Sequence, residues 1–147
     1  MSSEVETKLF VPALAPLYRC LGQFTNLFLR IVYALLIVPS GYAKFTNPDF
    51  AANVTAIIAK LGFAPAPAWF WFVAFLETVG VAALAAGFLT RLWGVFFTIE
   101  MLIIAIGVHW PTGHGYNYPF LLAAVAFALT LRGGGRWSLD RLIGREF

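Results

Sequence analysis

Three ionisable residues, Arg30, Glu77 and Glu100, stand inside stretches otherwise built from hydrocarbon and aromatic side chains. An ionised group deep in a bilayer costs several kcal/mol unless it is paired or wetted. One arginine neutralises one carboxylate, and two close carboxylates cannot both stay ionised cheaply. The expected arrangement is a buried cluster in which Arg30 is positive, one glutamate is ionised and the other holds a proton. Such a cluster does proton chemistry near neutral pH. The same residues would also serve as polar glue between helices, or the glutamates would face lipid in protonated form; residue type alone leaves these readings open.

A second group is His109, Trp110 and Tyr116, in the Pro- and Gly-containing run 109–117. These residues suit the rim of a ligand pocket, or simply the polarity of a loop. His109 and His114 do not share a helical face and have no neighbouring carboxylate, so neither a metal nor a haem is expected. Cys20 is the single cysteine, which excludes an internal disulfide, a CxxC redox pair and a cysteine-ligated Fe–S cluster within the chain.

The elements that must position these groups are membrane spans. The chain of 147 residues is 61% hydrophobic and 12% charged, where a soluble domain is about 45–50% apolar and about 25% charged. A span needs about 20 apolar residues. The pattern predicts four spans, at 24–42, 69–89, 92–109 and 117–131. The run from Ala68 to His109 would extend about 60 Å as one helix, twice the hydrocarbon thickness of roughly 30 Å. It must fold back, and the charged break at Thr90-Arg91 places the hairpin at Gly87 to Leu92. Glu77 and Glu100 then each lie about 12 Å along their helices, near the bilayer centre. Arg30 lies about six residues into the first span, within reach of them through its long stem.

Asn47-Pro48-Asp49 signals a helix start. Phe50, Val54, Ile57, Ile58 and Leu61 follow at helical spacing over 50–61, too short to cross, which predicts an amphipathic helix on the outer surface. Residues 1–23 read as a tail, with Leu14, Leu17, Tyr18 and Leu21 forming either an interfacial face beside Arg19 or a poorly ordered segment. The acidic start does not suit a cleaved signal peptide. Lys44 is expected to snorkel to the interface at the end of the first span. Residues 132–147 read as a C-terminal tail in which Ser138 caps a short helix. Four spans put both tails and the central hairpin on one side, with Lys8, Arg19, Arg91, Arg132, Arg136, Arg141 and Arg145, against Lys44 and Lys60 on the other. The positive-inside rule places the basic side in the cytoplasm. The basic residues are read as this topology signal, not as a nucleic-acid surface.

Together the motifs resemble the DoxX family of small bacterial four-span membrane proteins, over roughly residues 26–142. The resemblance is carried by Arg30, by Gly41 with Lys44, by Phe75-Leu76-Glu77 with Gly80, Gly87 and Arg91, and by Met101 with His109-Trp110. Its most specific part is Gly133-Gly134-Gly135-Arg136-Trp137-Ser138-Leu139-Asp140. The resemblance implies an all-α polytopic protein of the cytoplasmic membrane, a four-helix bundle with short interfacial helices and the lipid bilayer around it. The family takes its name from a subunit of a thiosulfate:quinone oxidoreductase, and many members have no assigned activity. Asn117 stands where many members carry a glutamate, which puts in doubt an acidic role at the outer mouth.

Two functions follow. In the first, the chain is a subunit of a larger quinone-linked redox complex and borders a quinone site, with Glu77 and Glu100 handling protons and Arg30 balancing charge. No redox centre is evident in the sequence, so electrons would come from a partner. In the second, the chain is a non-catalytic scaffold, whose removal would lower the partner's abundance but not its specific activity.

Overall fold

The computed structural model describes residues 12–144. A 3-10 turn at Pro12–Leu14 leads into α1 (Ala15–Thr46), followed by α2 (Pro48–Lys60), α3 (Ala66–Ala86), α4 (Thr90–Thr112), α5 (Asn117–Arg132) and α6 (Leu139–Ile143). Among the described residues there is no strand. Helices α1, α3 and α4 are long and apolar enough to cross a membrane. Helix α5 is shorter and also apolar; its 16 residues extend about 24 Å. The protein is an all-α polytopic membrane protein.

The bundle turns hydrocarbon both inward and outward. Tyr33, Ile37, Leu76, Leu84, Phe97, Met101, Leu122 and Leu129 pack at the centre. Phe28, Leu35, Leu121 and Leu131 are each more than 60% exposed, as expected of side chains whose solvent is lipid. Association between such helices depends on close packing. Helices α4 and α5 pack closely, so that a Cβ at Gly94 would stand 2.5 Å from the Thr130 Oγ1.

Helix α1 begins nine or so residues before the expected span at 24–42 and absorbs much of the expected tail. Its early prolines explain why the helix can start there: Pro16 lies in the first turn, where no N–H is needed for an intrahelical bond. Leu17 and Leu21 are exposed in the first turns of α1, and Leu14 in the 3-10 turn that precedes it. The side chains of Tyr18 and Arg19, and residues 1–11 and 145–147, lie outside the described part.

Asn47 alone separates α1 from α2. Its side chain accepts a hydrogen bond from the Phe50 N–H at 3.1 Å, with Pro48 and Asp49 in the first turn, as the sequence signal predicts. The α3–α4 hairpin turns at 87–89, at the start of the expected stretch. Gly87 ends α3 with φ +74°, a left-handed conformation that glycine adopts without steric cost. Leu89 also has a positive φ, of 51°, which is uncommon for a bulky residue.

The C-terminal segment holds that turn. Asp140 accepts hydrogen bonds from the Leu89 N–H at 2.6 Å and the Thr90 N–H at 3.0 Å, and its own N–H donates to the Gly87 carbonyl at 2.9 Å. A buried carboxylate on these amides caps α4 from a distant part of the chain and complements its dipole. Ser138 caps α6, accepting from the Arg141 N–H at 3.3 Å. Arg136 donates to Gln23 of α1 at 2.7 Å. The described part of the expected C-terminal tail is thus folded against the bundle end that carries the hairpin.

Candidate functional site

Arg30 belongs to this clamp and not to the glutamates. It is fully buried, its Nη2 donates to the Trp137 carbonyl, and the acid acting on it is Asp140. A side chain at Gly87 would collide with its guanidinium. The expected Arg30–Glu77–Glu100 cluster does not form. The cation beside the glutamates is Lys44, fourteen residues further along α1, about 21 Å at 1.5 Å per residue.

Lys44 was expected at the interface, yet it is only 6% exposed. Its ammonium donates to Glu77 Oε2 at 2.5 Å and to Ser40 Oγ at 3.0 Å. Ser40 is one helical turn back on the same face. Gly41 makes the approach possible: a Cβ there would stand 2.6 Å from the Glu77 carbonyl oxygen, so α1 and α3 touch backbone to backbone at this level. On α3, Glu77 lies in a π-helical turn, Leu76–Gly80. Such turns insert a residue into the helical ladder and are frequent at functional sites.

Glu100 on α4 lies in the electrostatic field of Glu77 and Lys44. It is 8% exposed; neither carboxyl oxygen receives a donor, and the Glu77 carboxyl lies within hydrogen-bonding reach of it. Burying such a group without a donor costs several kcal/mol, which marks this carboxyl as one in need of water or a ligand.

Lys44, Glu77, Glu100 and Ser40 line a cavity of about 390 Å³, within the range of about 300–1,000 Å³ usual for small-molecule sites. Its other walls are mostly apolar, with Phe72, Leu76, Phe96, Ile99 and Ile103 from the spans and Phe50, Val54, Ile57 and Ile58 from α2; Asn53 and His109 are the further polar residues in the lining. Helix α2 thus lines one side of the cavity. The Lys44 ammonium also lies 5.6 Å from the centre of the Phe50 ring, a cation–π contact that ties α2 to the charged end.

The second expected group divides. His109 lines the cavity, at the end of a second π-helical turn, Ile104–His109. Trp110 and Tyr116 do not: their rings pack on each other at 5.1 Å and on Phe120, at the neighbouring end of α4 and α5. The physical reason is the turn itself, since Gly113 and Gly115, both with positive φ, fold the connection so that Tyr116 meets Trp110 and not the cavity.

A signal for Lys44 was present in the sequence. Arg30, Tyr33, Ile37, Gly41 and Lys44 recur at three- and four-residue steps, which makes one continuous face of α1. Since Arg30 and Tyr33 are on the buried face, so is Lys44.

The sequence pattern of the DoxX family matches residues 25–110. No curated protein and no solved structure matches the chain.

Proposed function

The chain belongs to the DoxX family, and from that membership we propose that it is a subunit of a quinone-linked redox complex in the bacterial cytoplasmic membrane, with the headgroup of the quinone seated in the Lys44–Glu77–Glu100 cavity. The observation that carries this reading is a largely apolar cavity between the spans and α2 that ends in a buried ion pair and a carboxyl with no donor. A quinone has the matching shape, a small oxygen-bearing ring on a hydrocarbon tail. The residues fit it: Lys44 donates toward a headgroup oxygen, Glu77 holds the ammonium in place, Glu100 exchanges a proton, and the α2 and α3 side chains take the tail. The bound group would supply the electron chemistry, with electrons coming from a partner chain.

Binding is testable on the purified chain in nanodiscs with a decyl-tailed benzoquinone. Saturable binding with one site per chain is expected, and it should disappear in Lys44→Met/Glu77→Met. Saturation that is indifferent to those substitutions, or no saturable binding, would refute the site.

The proposed orientation puts the clamp end in the cytoplasm. Moving Lys44 into the bundle sharpens the basic asymmetry, since it no longer counts as an outer-loop charge. Cys20 is exposed in the half of α1 that meets the C-terminal segment. A membrane-impermeant maleimide is therefore expected to label it in inside-out vesicles and not in intact spheroplasts; the reverse labelling would invert the topology.

A further inference from the structure

Glu100 carries a consequence for which form of the headgroup is held. Both of its oxygens are buried and receive no donor; the Glu77 carboxyl lies beside them and is itself only an acceptor when ionised. As a carboxylate, both oxygens can only accept hydrogen bonds; as a carboxylic acid, the carbonyl oxygen still can only accept. In either state at least one Glu100 oxygen is left without a donor. An oxidised quinone has only acceptor oxygens and cannot supply one. Its reduced form carries hydroxyls, which both donate and accept.

The neighbouring cation completes the pattern. An ammonium has three N–H donors. Two of those on Lys44 are directed to Glu77 and Ser40, which leaves one for a ligand oxygen. A hydroxyl placed at this end of the cavity would accept from Lys44 and donate to Glu100, and so satisfy both groups at once. A quinone carbonyl would satisfy Lys44 and leave at least one Glu100 oxygen without a donor. A site that hydrogen-bonds a ligand hydroxyl discriminates against the analogue lacking it, because its own buried polar group is then left unpaired.

We propose that Glu100 makes the cavity selective for the reduced, hydroxyl-bearing headgroup over the oxidised one. This rests on the reading of the cavity as a quinone site and adds which redox form it favours. It assigns Glu100 as the residue that sets this preference, and Lys44 as a donor common to both forms. A tenfold preference would raise the two-electron midpoint potential of the bound couple by about 30 mV relative to the free couple.

The test compares a decyl-tailed benzoquinone with its hydroquinone, kept reduced under argon, on the full chain in nanodiscs. The hydroquinone is expected to bind about tenfold more tightly or better, the range of a hydrogen bond to a buried, otherwise unsatisfied group. Glu100→Gln keeps an acceptor oxygen and should keep a preference. Glu100→Leu removes both orphan oxygens without leaving an unpaired group, should fold, and should bind the two forms about equally. Equal or reversed affinities in the parent chain, or a preference that survives in Glu100→Leu, would overturn the assignment while leaving the quinone site standing. Failure of both forms to bind would instead remove the quinone reading itself.

Discussion

Replacing Lys44 by methionine is expected to destabilise the protein by about 3–5 kcal/mol, the cost of leaving one partner of a buried ion pair uncompensated. The side chains of Lys44 and Glu77 are only 3% and 4% exposed, so water cannot take over the lost contact without opening the helix interface. The double variant Lys44→Met/Glu77→Met should recover most of that loss, because a buried pair replaced by well-packed hydrocarbon is often neutral or better. Quinone binding should be absent in both. Unfolding in detergent, followed by tryptophan fluorescence, together with the nanodisc binding assay separates the two effects. A single variant as stable as the parent would show that Glu77 does not depend on Lys44.

The second large effect is expected at the other end of the bundle. Asp140→Ala leaves the Leu89 and Thr90 amides without their acceptor and takes from Arg30 the acid that acts on it. A buried hydrogen-bonded acid shared in this way is worth about 3–5 kcal/mol. Asp140→Asn retains an acceptor oxygen and should lose less. The loss should be local before it is global: protease cleavage after Arg132 and Arg136 should accelerate, and amide exchange should rise at 87–90. Quinone binding at the membrane-embedded pair, about 21 Å away along α1, should persist in whatever fraction remains folded. Loss of binding in step with cleavage would show that the clamp and the cavity are one cooperative unit.

These two expectations divide a role that the sequence suggested was one. Charge and burial identified Arg30, Glu77 and Glu100 as residues needing partners, and each of them does lie inside the bundle. They did not identify the partners. Arg30 has an i+7 step to Ile37 and a further step to Lys44, so one helix face carries two cations about four turns apart. Either could have met the glutamates. Which one does depends on the level at which α3 crosses α1, and that is set by Gly41 against the Glu77 carbonyl.

The C-terminal motif is a similar case. Its glycines and Ser138 are readable as a turn followed by a capped helix, and the structure contains that helix. That Asp140 should reach across to cap α4 has no local signature, because its acceptor geometry is completed by amides some fifty residues earlier in the chain. For Trp110 and Tyr116 the reverse holds: their types suit a pocket, but the positive φ of Gly113 and Gly115 turns them onto each other.

The sequence by itself determined that this protein lives in a membrane, that it is built of helices, roughly where they lie, and that a few charges are buried within them. Those conclusions follow from hydrocarbon content and periodicity, which are local properties. Only the tertiary structure decided that Lys44 is the partner of Glu77, that Glu100 is left without a donor, that Arg30 is bound into a distant clamp, and that α2 lines a cavity with the spans. Pairing between buried charges is a matter of a few ångströms between helices distant in sequence, and no periodicity along one helix specifies the height at which another crosses it.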